Sequence, residues 1–228
     1  MLTPGRRRGV ELLDDPQVPA EITTRSMADV ERSNFLFGGA SAALAELEPV
    51  FAELPKCATL LDVGTGTADI PAAARGAAAR RGVTLRTIGC DISPVLAERY
   101  RRRNDYTVRG DALRLPFGDD SIDVVMCSQV LHHFREDDAR QLIAEMNRVA
   151  RARVVISDLR RSLVAAGSLW LASFVLNFHS VSRHDGVVSI MRGFLPEELS
   201  ELVKSVTGRK EVVRRHPAFR VTTSWKPR

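Results

Sequence analysis

The chain has 228 residues, enough for one well-buried α/β core that needs no metal or disulfide to hold it. Hydrophobic residues make up 44% of the chain and charged residues 27%, which excludes a disordered or fibrous protein. The net charge of +5 raises nucleic acid as a partner, with basic clusters at Arg6–Arg8, Arg99–Arg103 and Arg148–Arg161. Aromatic residues are only 6% and acidic residues are interspersed, so we expect solvated helix faces and no nucleic-acid partner.

Cysteine usage and hydropathy predict a cytoplasmic protein. Cys57, Cys90 and Cys127 show no CxxC spacing, and two of them lie in apolar runs where a free thiol behaves as a small hydrophobe. Acidic residues from Glu11 onward occupy the place where a signal peptide would be apolar. The longest apolar segment, Leu163–Phe178, is too short and too polar for a membrane span.

The N-terminal quarter is predicted to be helical. Apolar residues recur at helical spacing before Pro55, which closes the helix; they are Ala42, Leu44, Ala45, Leu47, Val50 and Phe51. We divide the chain into an N-terminal helical cap, residues 1–56, and a main domain, residues 57–228.

From residue 57 onward the pattern alternates between strands and helices. The predicted strands are Thr59–Val63, Leu85–Cys90, Tyr106–Val108, Ile122–Cys127 and Val154–Ser157. The predicted helices are Pro71–Arg80, Ser93–Arg103 and Asp137–Ala150, with Ser93 as an N-cap. This alternation indicates an α/β fold with a doubly wound parallel sheet. Two β-rich segments near the end, Glu211–Val213 and Phe219–Trp225, predict a closing hairpin at the sheet edge.

The first strand runs into a glycine-rich turn, residues 62–69, that reads DVGTGTAD. Gly64 and Gly66 allow a sharp turn and a close approach to a ligand. A dinucleotide-binding turn would carry a third glycine where this chain has Asp69. A carboxylate there repels a pyrophosphate, so the turn favours a cationic or neutral ligand.

Acidic residues also follow the second and third strands. Asp91 is placed to accept hydrogen bonds from both hydroxyls of a ribose. Asp111 can accept from an exocyclic adenine amine, and Ala112 supplies a backbone N–H for a ring nitrogen. Acids at the ends of three successive strands together indicate an adenosine-containing ligand.

Four ordered motifs, LLDVGTGTADI, GCDIS, GDALRLPFGDDSIDVV and CSQVLHHF, resemble those of the class I methyltransferases that depend on S-adenosylmethionine (SAM). The resemblance covers Leu60 to Asp158. It implies a Rossmann-like, mostly parallel seven-stranded sheet of order 3-2-1-4-5-7-6, with N-terminal helices and a helical lid inserted after strand 5, about residues 160–195. It also implies SAM as cofactor, S-adenosylhomocysteine (SAH) as product, and no metal.

The resemblance assigns the methionine part of SAM to Gly64 and Gly66, the ribose to Asp91, and the sulfonium to Ser128 and Gln129. The full predicted cofactor set is Asp62, Gly64, Thr65, Gly66, Asp91, Ile92, Asp111, Ala112, Ser128, Gln129 and, on the N-terminal helix, Arg25. The family usually carries a Lys-Pro-Gly-Gly-like turn before strand 5. This chain has Arg148–Arg153 there, so we expect a shortened turn.

Two histidines follow the fourth strand, beside the expected position of the transferable methyl group. A general base helps when the acceptor is a phenol or alcohol that must lose a proton. His133 is the preferred candidate, with His132 and His184 as further catalytic candidates. A pocket-shaping or structural role for these histidines stays open.

The segment after strand 5 is predicted to bind the acceptor. The predicted substrate-binding residues are His133, Arg160, Trp170, Phe174, Arg183 and His184. For the apolar residues the alternative is packing on the sheet. For Arg183, His184 and Asp185 it is a salt-bridged loop.

These features predict a methyltransferase for a small, largely apolar acceptor, with O-methylation of a phenolic or polyketide-like natural product in secondary metabolism. One alternative is C-methylation of a quinone or aromatic ring, since the LPF and DSIDVV phrases resemble the ubiquinone and menaquinone methyltransferases. RNA or protein methylation lacks its Asn/Asp-Pro-Pro-Tyr-like motif after strand 4, and a non-catalytic SAM-binding subunit is a further alternative. The oligomeric state is open, with a homodimer as one option.

Overall fold

The computed structural model describes residues 3–6, 9–15 and 17–227. Its α-helices are α1 Ala20–Leu36, α2 Gly39–Phe51, α3 Asp69–Arg80, α4 Pro94–Arg99, α5 Glu136–Val149, α6 Leu163–Val175, α7 Ser180–Arg192 and α8 Pro196–Thr207. Its strands are β1 Cys57–Val63, β2 Thr84–Asp91, β3 Tyr106–Arg109, β4 Ile122–Ser128, β5 Ala150–Leu159, β6 Val213–His216 and β7 Arg220–Trp225. None of the helices in these ranges is long and apolar enough to cross a membrane.

The seven strands form one sheet of order β3-β2-β1-β4-β5-β7-β6. The pairs from β3 to β5 are parallel, and β7 runs antiparallel to both β5 and β6. The predicted fold class and strand order are confirmed. The strand order reverses between β1 and β4, and in such sheets ligands bind at the carboxyl edge beside this switch point.

Side chains alternate between the two faces of the sheet along each strand, and here they are apolar on both faces. Helices therefore cover both faces. Leu61, Val125 and Ile156 face a core cluster with α5 and α8. Leu60 and Val124, with their neighbours on the strands, face the opposite cluster, built from α2 and α3. Strands buried on both faces read as continuous apolar runs, which is why β1, β4 and β5 were visible in the sequence.

Two local predictions need adjustment and a third is confirmed. The helix predicted over Ser93–Arg103 ends at Arg99 and continues as a 3-10 turn over Arg101–Arg103, because this polar segment has no apolar face to bury. Strand β5 begins at Ala150, directly after α5, which confirms the shortened turn. The predicted closing hairpin at the sheet edge is confirmed, but its first strand lies later in the chain: β6 covers Val213–His216 instead of Glu211–Val213, since its register on β7 is fixed by the short 217–219 turn.

The segment after β5 folds into two helices, α6 and α7, that pack on each other before α8 returns to the sheet. Ala165 and Ala166 of α6 contact a small cluster that includes Ile190 and Met191 of α7. The residues Arg183–Asp185 lie inside α7, so the alternative of a salt-bridged loop is wrong.

Candidate functional site

A cavity of about 80 Å³ lies at the carboxyl end of β1, where the switch point predicts a ligand. Its floor and walls come from the glycine-rich turn and the end of β4, and α1 lies across it. The lining residues are Met27, Val30, Asn34, Asp62, Gly64, Thr65, Gly66, Thr67, Asp69, Ile70, Ser128 and Gln129. Six of the residues predicted for the cofactor therefore lie together here: Asp62, Gly64, Thr65, Gly66, Ser128 and Gln129.

The two glycines of the turn have left-handed backbone conformations, with φ of 70° at Gly64 and 52° at Gly66. A Cβ added at Gly64 would lie 2.5 Å from a methyl group of Val130. A Cβ added at Gly66 would lie 3.1 Å from the methyl group of Met27 on α1. The turn therefore requires glycine for its conformation and for the close approach of its neighbours.

Asp91, the predicted ribose ligand, is buried at the end of β2 and braces the glycine turn. One carboxylate oxygen accepts from the Gly66 backbone N–H at 3.0 Å, and the other accepts from Ser93 N–H at 2.9 Å. Burial raises the pKa of Asp91, although these backbone hydrogen bonds oppose the shift. Each carboxylate oxygen retains a second lone pair that can accept from a ligand hydroxyl.

Asp62 lies deeper, at the end of β1. Burial and, to a smaller extent, the charges of Asp69 and Asp91 raise the pKa of Asp62 to about 8, against the hydrogen bond from Thr65. Three clustered carboxyl groups strongly favour a ligand that brings positive charge, because that charge lets more of them ionise.

The end of β4 contributes two polar groups to the cavity. The Ser128 hydroxyl is buried without a hydrogen-bond partner among the described residues, which points to a ligand as its partner. Gln129 has a left-handed backbone conformation, with φ of 57°. Its side chain donates to Asn34 of α1 and accepts from Arg220 of β7 at 2.6 Å.

The remaining cofactor candidates lie outside this cavity. Ile92 is 67% exposed, and Asp111 is exposed and accepts from the Leu113 N–H at 2.9 Å. Ala112, next to Asp111, is half-buried. Arg25 lies on the exposed side of α1 and does not line the cavity.

The chemistry of the cavity fits a SAM-like ligand. The glycine turn offers a surface without side chains, the carboxyl groups favour a cation, and the Ser128 hydroxyl lacks a partner. The enclosed volume is well below the ~300–1,000 Å³ of ordinary ligand pockets. Met27, Val30 and Asn34 of α1 form one wall of the cavity.

A second group of polar residues lies beyond Gln129, around the two predicted histidines. His132 is buried, and its Nδ1 lies 2.7 Å from an oxygen of Asp158 at the end of β5. Burial raises the pKa of Asp158, but the charge and hydrogen bond of His132 and the Leu159 N–H outweigh it and hold the pKa below its ordinary value. The opposite ring nitrogen, Nε2, is buried with no hydrogen-bond partner in the described part of the chain.

His133 has different surroundings. Its Nδ1 lies 3.2 Å from Asp14, and Nη1 of Arg192 lies 3.4 Å away. Burial lowers the pKa of His133, but the Asp14 hydrogen bond and the charges of Glu11, Asp14 and Asp158 outweigh it and raise the pKa. His133 therefore holds its proton more readily than an isolated imidazole. The Nε2 of His132 lies 3.9 Å from the carboxylate of Glu11.

Glu11, His132 and His133 also bring three potential metal ligands within 4.8 Å of one another. Arg192, however, lies 2.9 Å from Glu11 and 3.0 Å from Asp14. Its guanidinium supplies the positive charge that this set would otherwise draw from a metal ion.

Residues 61–156 match the family model described as a methyltransferase domain. The chain is 32% identical over 152 residues to the demethylmenaquinone methyltransferase of Deinococcus radiodurans. The matched region covers 61% of this chain and 59% of that protein. The glycine turn and the acids that follow the first three strands lie within residues 61–156. Over them the chain is similar to the methyltransferase-domain family.

Two further proteins are similar to this chain, one in sequence and one in fold. The chain is 33% identical over 155 residues to the human protein named probable tRNA methyltransferase 9B, a match that covers 66% of this chain and 29% of the human protein. A SAM-dependent methyltransferase of Thermotoga maritima, described as a possible histamine N-methyltransferase, shares the fold, with a TM-score of 0.61 at 19% identity. That alignment covers 92% of this chain and 100% of the other. The chain thus spans about three fifths of the length of the Deinococcus protein and under a third of the length of the human protein.

The N-terminal segment, residues 9–15, lies over the histidines. Buried Asp185 of α7 accepts from the backbone N–H groups of Leu12 and Leu13, at 2.8 and 2.9 Å. Arg192 donates to the carbonyl of Gly9 at 2.6 Å. His184, a catalytic candidate, is half-exposed and lies 2.8 Å from Asp185, so it supports this anchor.

The predicted acceptor-binding residues of α6 point elsewhere. Trp170 and Phe174 are about half-exposed and meet edge to face with ring centroids 4.8 Å apart. Arg183 stacks on Phe174 at 3.6 Å, and Arg160 stacks on Phe219 at 4.8 Å. The structure does not bring these four residues to the cavity.

Sequence reasoning missed three charged residues of the site: Glu11, Arg192 and Arg220. Glu11 and Arg192 are separated by most of the chain, and their pairing has no local signal. Arg220 begins a strand read only as a sheet-edge hairpin. Its burial of 97% follows from β7 lying between β5 and β6, which local sequence patterns do not indicate.

Proposed function

We propose that this protein transfers the methyl group of SAM to a small, largely apolar acceptor, and that the acceptor atom is a phenolic oxygen. The observation that carries the proposal is the buried Asp158–His132 pair, whose free ring nitrogen lies beside the carboxyl end of β4. A phenol must lose a proton during methylation, and this pair can accept it.

Asp158, His132 and the N-terminal segment have separate roles in the proposed reaction. Bound SAM supplies the electrophilic methyl group, and the protein mainly positions the acceptor in line with it. The ionised Asp158 carboxylate accepts from the Nδ1–H of His132, which leaves Nε2 as the proton acceptor. The Gly9–Asp15 segment covers this place and keeps water out of it.

His133 was the base preferred from the sequence. The geometry favours His132 for that role, and His133 with Asp14 and Arg192 then holds the N-terminal segment in place. We retain His133 as an acceptor contact.

C-methylation of a quinone or aromatic ring is the second candidate, supported by the likeness to a demethylmenaquinone methyltransferase. It also removes a proton, so the histidine pair fits both reactions. RNA methylation gains support from the human relative. It is weakened because basic side chains of two predicted clusters are ion-paired; these are Arg101, Arg103, Arg148, Arg151, Arg153 and Arg161.

The test is a methyl-transfer assay with SAM on pairs of acceptors, each a phenol or hydroxyquinone and its own O-methyl ether. O-methylation predicts product from the phenol alone, identified by mass spectrometry and NMR. Product on a ring carbon of the ether would establish C-methylation instead. Transfer to tRNA alone, or SAM binding without turnover on any acceptor, would overturn the proposal.

The cofactor part has its own control. Asp91→Ala should weaken SAM binding about 100-fold, because two charge-assisted hydrogen bonds to the ribose are lost. Calorimetric titration with SAM and SAH measures it. Unchanged affinity would remove Asp91 from the cofactor site, whatever the acceptor is.

A further inference from the structure

Arg220 is a buried cation with no carboxylate partner among the described residues. The residue is 3% exposed at the start of β7, paired in register with Leu159 at the carboxyl end of β5. Among those residues its guanidinium has a single hydrogen-bond partner, the side-chain oxygen of Gln129 at 2.6 Å. Its Nε is buried with no partner at all.

This arrangement is costly unless a ligand completes it. A guanidinium carries five N–H donors and no acceptor, so most of its hydrogen-bonding capacity here is unused by those partners. Burial lowers the pKa of Arg220 to about 10, and the charge of Asp158 acts in the opposite direction. Buried charges in proteins are ordinarily paired, and an unpaired one indicates a function.

Asp158 does not satisfy it. The carboxylate of Asp158 is already engaged by the ring and backbone N–H of His132 and by the N–H of Leu159. No ion pair within 4.0 Å joins it to Arg220 in the described residues. The arginine therefore compensates this buried acid only at longer range.

Arg220 is linked to the ligand cavity through its hydrogen-bond partner and is not itself a lining residue. Gln129 lines the cavity and also contacts Asn34, which in turn contacts Asp69. The cavity otherwise presents carboxyl groups. These carboxyl groups attract the positive charge of a ligand but repel any acidic group that it also carries. That acidic group therefore needs a cation nearby.

Resting on the proposed function, we propose that Arg220 binds the carboxylate of a ligand in this cavity. Two ligands offer that chemistry: the methionine end of SAM, and an acidic group on the acceptor. In both cases the guanidinium donates two parallel, charge-assisted hydrogen bonds to the carboxylate. Arg220 is then a binding residue of the site, held in place by Gln129.

The first arm of the test concerns the cofactor. Calorimetry compares SAH with the analogue that lacks only the methionine carboxylate, on wild type and Arg220→Met. If the carboxylate comes from the cofactor, wild type prefers SAH by about 10- to 100-fold, and Arg220→Met loses that preference. Arg214→Met, the same substitution at an arginine paired with Glu46 on the same hairpin, should leave the preference intact.

The second arm concerns the acceptor and uses the SAH-loaded protein. Benzoate and benzamide have the same shape and differ in charge. If the carboxylate comes from the acceptor, wild type binds benzoate more tightly than benzamide, and Arg220→Met removes the difference while SAH affinity stays unchanged. Both arms measure binding without turnover, so their outcome is independent of whether a phenol is methylated.

Stability separates binding from a structural role. An unpaired buried charge destabilises the free protein, so Arg220→Met should melt at or above the wild-type temperature. If Arg220 merely holds Gln129, the variant melts lower and both preferences persist, which overturns the proposal. Should Arg220→Met fail to fold, the proposal is also overturned, since the arginine is then structural. Arg220→Lys should retain a reduced preference.

Discussion

The carboxylate of Asp158 lies 2.7 Å from Nδ1 of His132, while Nε2 on the far side of the same ring is buried without a hydrogen-bond partner in the described residues, 3.9 Å from the carboxylate of Glu11. Asp158 ends β5, and His132 lies in the turn after β4. Parallel neighbouring strands bring these two ends together at one edge of the sheet. The pair is therefore a consequence of the topology.

We expect His132→Gln to lower the methyl-transfer rate about 100-fold or more, because the group that accepts the proton is lost. Asp158→Asn should lower it as well, since an amide no longer fixes the tautomer. Steady-state kinetics on a phenolic acceptor, with SAM affinity measured by calorimetry, checks both.

The matched control is His133→Gln, at the neighbouring histidine, which should have a smaller effect on the rate. SAM affinity should be the same in all three variants. A larger loss in His133→Gln than in His132→Gln would reassign the base to His133.

Asp62 should make both stability and cofactor binding depend on pH. Its pKa is about 8 in the folded protein and 3.8 as an isolated group, so the folded state holds a proton that the unfolded state has released between these values. The contribution of Asp62 to the free energy of unfolding is therefore complete below pH 3.8. It declines as the pH rises toward 8, by about 1.4 kcal/mol per pH unit at most. Asp62→Asn should flatten this decline in urea unfolding at a series of pH values.

A positive ligand favours ionised Asp62, so the affinity for SAM should rise from pH 6 to pH 8. In Asp62→Asn that rise should be smaller. An identical pH dependence in wild type and variant would show that Asp62 titrates outside this range.

Gly64→Ala should destabilise the domain by about 2–4 kcal/mol. The positive φ of 70° costs an L-residue about 1 kcal/mol, and the new Cβ would lie 2.5 Å from the stiff, β-branched Val130. Chemical denaturation measures it.

Gly82→Ala is the matched control. Gly82 has a φ of 74° and no atom within 4 Å of an added Cβ, so only the backbone cost of about 1 kcal/mol remains. Equal losses of stability in the two variants would mean that Val130 moves away from the new Cβ without an energetic cost.

Arg192→Met should destabilise the protein by about 3 kcal/mol, because it leaves the buried carboxylate of Glu11 without its cation. Adding Glu11→Gln should recover part of that loss. The double-mutant cycle, followed by thermal unfolding, gives the coupling between them. Additive losses would show that the pair does not hold the N-terminal segment.

Much of the fold was readable from local patterns. The apolar runs of β1, β4 and β5 are buried on both faces, so their composition alone marks them. The glycine turn and Asp91 were readable because the conformation and hydrogen bonds they require restrict the residue type. The ends of β6 and of α4 were not, since strand register and surface polarity depend on neighbours distant in sequence.

The acceptor side was predicted less well. Trp170 and Phe174 were assigned to a pocket because they are apolar and lie after β5, but they occupy the outer face of α6. Spacing along a helix tells which side chains share a face, and it does not tell which face turns inward.

The sequence by itself determined the fold class, the strand order through the family resemblance, and the cofactor turn, because these depend on short-range patterns of hydrophobicity and glycine. Only the tertiary structure decided which histidine has the free nitrogen, that Glu11 pairs with Arg192, and that Arg220 is buried beside Gln129. Those contacts join residues up to 181 positions apart, and the energies of buried charges depend on partners that the folded chain brings together.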